Sequence, residues 1–489
     1  MTSYVAVDLG AESGRVVVGC FDGERVALEV VHRFPNVAVR TPDGRHWDMP
    51  RLYSDILEGI QRVVRAGTTS PASIGIDAWG VDYALLDAAG RLLGNPYHYR
   101  DARTDGLPDA IESLAPQSDL YDRTGIACLS INTIYQLVAQ RQAHDPILES
   151  AHTLLMTSDL LHYWLSGQIA VEQTDASTSA MLGVDGLWLT DVLDRLDIPT
   201  GMLVRPEKSG TILGPVRPTI LEECGLQRLE VVLPATHDTA CAIVAAPFEP
   251  EPAGSSRAYI SSGTWSLFGV EIHRPILGEP ARRAGFTNER GVAGTYCFHT
   301  NIMGMWLLQE CRRAWARRGR AYGYEDLVAA AARLAPLDVA IDVDAPAFLH
   351  PSDMLATIQD QLARGGQRVV AEPAEVTRLI MEGLALRYRT ALHMAERLTG
   401  THVTTIHVIG GGAQNKLLCQ LTANACQRPV WAGPVEATAM GNVLLQAMGA
   451  GAVGSLAQAR AIAHASTAIE VYEPHASDHW ARLAARLQS

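Results

Sequence analysis

The chain has 489 residues and a net charge of −13, with 47% hydrophobic and 19% charged residues. That length exceeds what one compact core supports and fits about two to four domains. The hydrophobic share supplies a large core, and the acidic balance argues against general binding to nucleic acid or to an anionic membrane surface. Cys20, Cys128, Cys224, Cys241, Cys297, Cys311, Cys419 and Cys426 are scattered, and no Cys-x-x-Cys occurs. Neither a zinc site nor a redox pair is indicated, and buried free thiols in a reducing cytosol are expected. No secretory leader is read at the start, and the longest apolar run, 240–248, is too short to cross a bilayer. A cytoplasmic location is therefore expected.

In chain order, residues 4–18 read as an apolar run, a short turn of Gly and Ser, and a second apolar run. This is a tight strand pair. Residues 25–34 follow as a strand. Leu52, Ile56, Ile60, Val63 and Val64 have helical spacing and predict a helix over 52–65. Residues 73–77 read as a buried strand, Trp79-Gly80-Val81-Asp82 interrupts it, and 83–87 form another strand. Strand pairs followed by helices argue for mixed α/β architecture. A Pro/Glu/Gly-rich stretch over 247–256 reads as a linker, which divides the chain into domains 1–246 and 257–489. A second strand pair over 258–270 then echoes the first. Further on, Val376, Leu379, Ile380, Leu384, Ala391, Leu392, Ala395 and Leu398 form one helical stripe between Pro373 and Gly400. A strand over 405–409, a turn at Gly410-Gly411-Gly412 and a helix over 415–426 complete the pattern.

Chemistry concentrates at the turns. Glycines let backbone N–H groups approach an anion, and hydroxyls add donors. Two such loops, one per half, point to a phosphate chain gripped between two similar domains. Asp8 ends the first strand before Gly10, Ser13, Gly14 and Arg15, where a carboxylate can hold hydrated magnesium beside phosphates. Ser261-Ser262-Gly263-Thr264 is the matching turn in the second half. Gly410-Gly411-Gly412 lies between strand and helix, where a ring or phosphate can rest on the backbone. No Gly-Lys-Ser/Thr occurs, so this is not a Walker A loop. Gly449, Gly451 and Gly454 do spell Gly-x-Gly-x-x-Gly, but the preceding 437–448 is helical in pattern, the wrong context for a dinucleotide fingerprint. His237-Asp238 stands where a strand end feeds a helix. Asp238 serves equally as a helix cap or as a base aimed from the helix start. Trp79 with Gly80 and Asp82 offers an apolar face beside polar groups, as a sugar pocket does, and also suits a core indole. The basic run Arg312, Arg313, Arg317, Arg318 and Arg320 reads as a solvated helix face.

These segments together resemble the FGGY carbohydrate kinases of the actin/hexokinase/Hsp70 superfamily. The resemblance spans residues 5–448. It rests on Val5-Ala-Val-Asp-Leu-Gly10, Ser13-Gly-Arg15, the run from Ser73 to Asp82, Tyr99-Arg-Asp-Ala-Arg-Thr104, His237-Asp-Thr-Ala240, the run from Tyr259 to Leu267, Asn301-Ile-Met-Gly304, Val408-Ile-Gly-Gly-Gly412 and Ala432-Gly-Pro-Val-Glu-Ala437. It implies two RNase H-like (actin-like ATPase) domains around an inter-domain cleft, with ATP and Mg²⁺ as cofactors. Ala11, Glu12, Ser13, Gly14, Arg15 and Thr264 would meet the ATP phosphates, and Gln309 and Gly411 the nucleotide. Gly80, His237, Asp238, Thr239 and Asn301 would contact the sugar, Asp238 would be the general base, and Asp8 would orient Mg²⁺. The Trp-Gly-Val-Asp, His-Asp-Thr and Asn-Ile-Met-Gly segments point to members acting on L-rhamnulose at its C1 hydroxyl. L-fuculose or a related ketose is the alternative, and a non-catalytic actin- or Hsp70-like ATP-binding protein a more distant one. Two departures stand out. Glu12 occupies a place where a small polar residue is expected, and a carboxylate there repels phosphates unless it points away. Leu355 and Thr422 stand where some members carry cysteine pairs, so no disulfide of that type is expected.

Overall fold

The computed structural model describes residues 1–68, 70–248, 254–349, 351–476 and 478–488. The centre of the linker expected over 247–256 lies outside the described residues. The chain packs as two compact units. The first comprises Met1–Pro247, Glu271–Phe298 and Ala437–Ser466; the second comprises Phe248–Val270, His299–Glu436 and Thr467–Ser489. Two segments from the later part of the chain thus pack with the first unit.

The first unit is built on a six-stranded sheet ordered Ile212–Pro215, Glu230–Val232, Ser73–Ala78, Thr2–Leu9, Ser13–Phe21, Val26–Pro35. Thr2–Leu9 and Ser13–Phe21 are the predicted hairpin, with Asp8 paired to Arg15 and Leu9 to Gly14. Ser73–Ala78 runs parallel to Thr2–Leu9 and sets Asp77 beside Asp8. The central strands read as near-continuous apolar runs because both faces are covered: Val5, Val7, Ile74 and Ile76 are fully buried. Helix Met49–Arg65 covers one face with Leu52, Ile56, Ile60 and Val63. Its N-terminus is capped by Asp48, which accepts from Arg51 N, and Arg62 and Arg65 sit in its last turn. Gly59 lets the helix approach closely, since a Cβ there would lie 2.3 Å from Val16 Cγ2. Helix Ala437–Gly449 covers the opposite face, where a Cβ on Gly19 would lie 2.4 Å from Val443 Cγ2. Gln446 fixes that helix by donating to Val5 O at 2.9 Å and accepting from Ser73 Oγ at 2.6 Å. The chain then passes from Ala437–Gly449 to Leu456–Ser466, so the Gly449, Gly451, Gly454 triplet joins two helices.

In the second unit, Ser255–Ser262 and Ser266–Ile272 form the second hairpin, closed at Ser262 opposite Ser266. His402–Ile409 runs parallel to its first strand, Val430–Ala432 parallel to that, and Glu470–Tyr472 antiparallel at the edge. The echo seen in sequence is therefore an echo of topology: each unit has a hairpin whose first strand is flanked by a parallel strand. Helix Pro373–Thr399 buries the predicted stripe from Val376 to Ala395 and stops at Gly400, whose φ of 68° suits glycine. The arginine run lies on and just beyond helix Trp306–Arg317, where Arg313, Arg317, Arg318 and Arg320 are exposed.

Candidate active site

The end of the first hairpin is an acidic corner that Arg15 partly neutralises. Asp8 is buried, and Arg15 donates to its Oδ2 from Nε at 2.9 Å and Nη2 at 2.6 Å. Asp77 is fully buried; its Oδ2 accepts from Asn442 Nδ2 at 2.7 Å, while Oδ1 has no hydrogen-bond partner among the described residues. Burial, then the charge of Asp8, raise Asp77 well above the usual carboxylate range, with Asp238 adding to the effect. Asp77 is missing from the sequence candidates. The available signal was its place at the end of a buried strand, equivalent to that of Asp8. The turn between them and Arg15 is held by its backbone: Gly10 N donates to Ser13 O at 2.9 Å, and Asn36 donates to Glu12 O at 3.0 Å and Gly10 O at 2.9 Å. Ala11 and Glu12 are partly exposed and Ser13 is exposed, so the turn is open to a ligand. Gly14 is compulsory, because a Cβ there would lie 2.3 Å from the Phe34 ring.

His237 and Asp238 join this corner. His237 bridges in parallel register to Ala78, directly after Asp77. Asp238 opens helix Asp238–Val244 as its first residue, and no side-chain cap bond forms there. Its carboxylate instead accepts from Thr239 Oγ1 at 3.2 Å, and its side chain is 32% exposed, so a ligand can reach it. Burial raises the Asp238 pKa and the charge of Asp8 raises it further, against the lowering pull of His237. His237 Nδ1 sits 3.1 Å from Glu289 Oε2 and its Nε2 lies 3.5 Å from Asp238 Oδ1. Burial alone would lower its pKa, but Glu289, with Asp238 and Asp175, outweighs burial and pushes it up to about 9.

Glu172 lies beneath this pair and is fully buried. Its Oε2 accepts from Thr236 N at 3.0 Å, Thr236 Oγ1 at 3.1 Å, Thr174 N at 2.9 Å and Thr174 Oγ1, and its Oε1 accepts from Ser209 Oγ at 2.7 Å. Thr174 Oγ1 in turn accepts from His237 N at 3.2 Å. One buried carboxylate thus ties down the backbone that presents His237 and Asp238. Sequence reading passed over Glu172 because its role depends on contacts some 64 residues distant.

The Trp79–Asp82 segment divides its labour. Asp82 is fully buried and accepts from Trp47 Nε1 at 2.6 Å, Trp79 Nε1 at 2.9 Å, Gln136 Nε2 at 2.8 Å and Tyr99 N at 3.2 Å. Its lone pairs are spent inside the fold, and Trp79 packs against Trp47 with ring centroids 4.1 Å apart. Both are therefore structural, and the sugar-pocket reading narrows to Gly80 and Val81. Gly80 lets the chain pass close to Thr178, since a Cβ there would lie 2.8 Å from Thr178 Cγ2. Val81 holds φ at 70°, a costly conformation for a β-branched residue, and donates to Thr178 Oγ1 at 2.9 Å.

In the second unit the predicted nucleotide segments gather around the second hairpin. Trp306 N donates to Thr264 O at 3.1 Å, which places the start of helix Trp306–Arg317 on the turn. Gly304 makes this possible: its φ is 46°, and a Cβ would lie 2.6 Å from Trp265 C. Gly412 packs so tightly that a Cβ would lie 2.0 Å from Ser262 Oγ. Gly411, by contrast, is exposed, with open space where a side chain would stand. Gln309 lies on the same helix, with its Oε1 buried and unpartnered. Asn301 is partly exposed near the end of strand Tyr296–Ile302. Among the described residues no helix is long and apolar enough to cross a membrane.

Comparison with known proteins fits this geometry. Residues 3–245 match the N-terminal domain of the FGGY family of carbohydrate kinases, and residues 258–450 its C-terminal domain. A rhamnulokinase of Bacteroides thetaiotaomicron is 38% identical over 479 residues, covering 98% of this chain and 97% of that protein. One from Pectobacterium carotovorum is 40% identical over 493 residues, covering 99% and 97%. Among solved structures, a ligand-bound xylulose kinase from Lactobacillus acidophilus superposes with a TM-score of 0.80 at 15% identity, covering 100% of this chain and 96% of that one. A Plasmodium falciparum glycerol kinase with ADP gives 0.79 at 13% identity, covering 100% and 97%. The fold is thus that of the sugar kinases with an actin-like ATPase architecture, and by both of its halves the chain belongs to the FGGY family of carbohydrate kinases.

Proposed function

We propose that this chain transfers the γ-phosphoryl group of ATP to the C1 hydroxyl of L-rhamnulose, giving L-rhamnulose 1-phosphate and ADP. The observation that carries this reading is near-full-length similarity to proteins named rhamnulokinase. In this reading Asp238 is the general base. Its carboxylate takes the C1 hydroxyl proton as the oxygen attacks the γ-phosphorus, and the bond to the β,γ-bridging oxygen breaks to release ADP. Gly80, His237, Thr239 and Asn301 position the ketose. Ala11, Glu12, Ser13, Gly14, Arg15 and Thr264 receive the phosphates through backbone and hydroxyl donors, with the Glu12 side chain turned from them. Gln309 and Gly411 receive the rest of the nucleotide.

The acidic corner suits magnesium. Asp8 and Asp77 offer oxygen donors only, and the buried Asp77 Oδ1 lacks a partner, as a hard cation or its water would require. Bound there, magnesium would neutralise phosphate charge. Arg15, held by Asp8 in this structure, is then available to the phosphates. The eight cysteines are all free, which suits a reducing cytosol.

The test is ADP release measured across L-rhamnulose, L-fuculose and D-xylulose at equal concentration. The highest kcat/KM is expected with L-rhamnulose. A preference for L-fuculose reassigns the sugar, and no sugar-stimulated release with any ketose would leave an ATP-binding protein without this chemistry.

A further inference from the structure

We propose that His32, Asp55 and Glu58 form a second cation site, for a divalent transition metal of the zinc class, that fastens helix Met49–Arg65 to the edge strand of the first unit's sheet. One ring nitrogen of His32 and one carboxylate oxygen from each acid lie within 4.8 Å of one another. A single ion bound at about 2.0–2.2 Å to each ligand accepts donors up to about 4.4 Å apart, so a small side-chain rotation closes the set.

The local sequence builds this corner. Strand Val26–Pro35 is the edge of its sheet. Its register against Ser13–Phe21 shifts between Val16 and Val17, which pair with His32 and Val30, leaving Val31 as the bulged residue. A bulge of this kind re-aims the side chains that follow it. His32 therefore shares the face of Val16, the face that Gly59 of the helix touches. Asp55 and Glu58 are three apart on that helix, so they project toward the same side.

The imidazole carries the argument beyond an acidic cluster. His32 is 7% exposed, and among the described residues neither of its ring nitrogens has a hydrogen-bond partner. An unpaired buried imidazole is costly, and a metal is one way to satisfy it. Burial, and next the charge of Arg62, lower the His32 pKa, against the raising charges of Glu58 and Asp55. The acids are held meanwhile by arginines: Arg51 to Asp55 at 2.9 Å and Arg62 to Glu58 at 2.5 Å. Arg62 and Glu58 are 44% and 45% exposed, and a pair exposed on both sides is weak; Arg51, 67% exposed above the buried Asp55, can turn to solvent as an ion takes its place. One imidazole with two carboxylates favours zinc over magnesium, which prefers oxygen alone.

The experiment is equilibrium dialysis of the chelator-treated full chain against Zn²⁺, with Mg²⁺ as the comparison ion. The wild type is expected to hold one more equivalent of Zn²⁺ than Glu58→Gln, whose affinity at this site falls at least about tenfold. Glu58 is a surface side chain outside the kinase site, so Glu58→Gln should fold and phosphorylate sugar normally. The His32 ring resonances should shift with the first equivalent of Zn²⁺ and stay unmoved by Mg²⁺. Equal Zn²⁺ stoichiometry in the two proteins, or His32 resonances indifferent to Zn²⁺, would overturn the site.

Discussion

Asp238 combines two properties that a general base needs: an accessible carboxylate, and neighbours that set its charge. Asp238→Asn keeps the shape and removes the carboxylate proposed as the base. Sugar-dependent ADP release should fall by about 10²–10⁴-fold or more, while ATP binding measured by calorimetry persists. The pH profile follows from the shift. Burial raises the Asp238 pKa, so kcat/KM should fall on the acid side at a higher pH than an ordinary carboxylate would give. For His237 the linkage runs the other way. Its pKa rises on folding from 6.5 to about 9, so the stability it lends is full below 6.5 and is lost as pH climbs through about 9. Thermal melts from pH 7 to 9.5 should show this decline, and Glu289→Gln should flatten it. At this scale the sequence was partly legible. Asp8 and Asp238 show themselves by standing at strand and helix ends. Glu172 and Glu289 do not, because nothing local distinguishes a buried acid that serves a distant partner; Asp77 shares the strand-end signal, but only the parallel pairing sets it beside Asp8.

Close backbone approach governs the elements. Helix Ala437–Gly449 reaches helix Asp238–Val244 through Gly441, where a Cβ would lie 1.9 Å from Cys241 O. Gly441→Ala must push apart the helix that carries Asp238 and the helix that carries Asn442. It should cost about 1–3 kcal/mol in denaturant unfolding and lower kcat. Gly80→Ala is a milder test. It presses on Thr178, which holds Val81 N, so the ketose KM should rise more than kcat falls. Steady-state kinetics with L-rhamnulose separates the two effects. Hairpins and long helices were readable because their signals are local: alternation, glycine turns, and the stop at Gly400. The strained Val81 and the bulge at Val31 were not, since both are imposed by tertiary contacts upon residues of ordinary strand propensity.

At the scale of the molecule, the nucleotide reading predicts ligand-linked stability. Mg²⁺ with ATP should raise the melting temperature, by about 2.7 kcal/mol of stabilisation at a hundredfold excess over Kd. Asp238→Asn should keep this shift, which separates loss of chemistry from loss of binding in a single melt series. Local sequence patterns carry the α/β class, the repeated hairpins and the family resemblance, and they name most of the residues proposed for the site. These are properties of short segments, where periodicity and turn chemistry act within a few residues. Long-range packing places 271–298 and 437–466 with the first unit, spends Asp82 on Trp47 and Trp79, and sets Asp77 beside Asp8. Those outcomes depend on pairing between residues tens to hundreds of positions apart, where strand register and helix packing, not local propensity, select the partners.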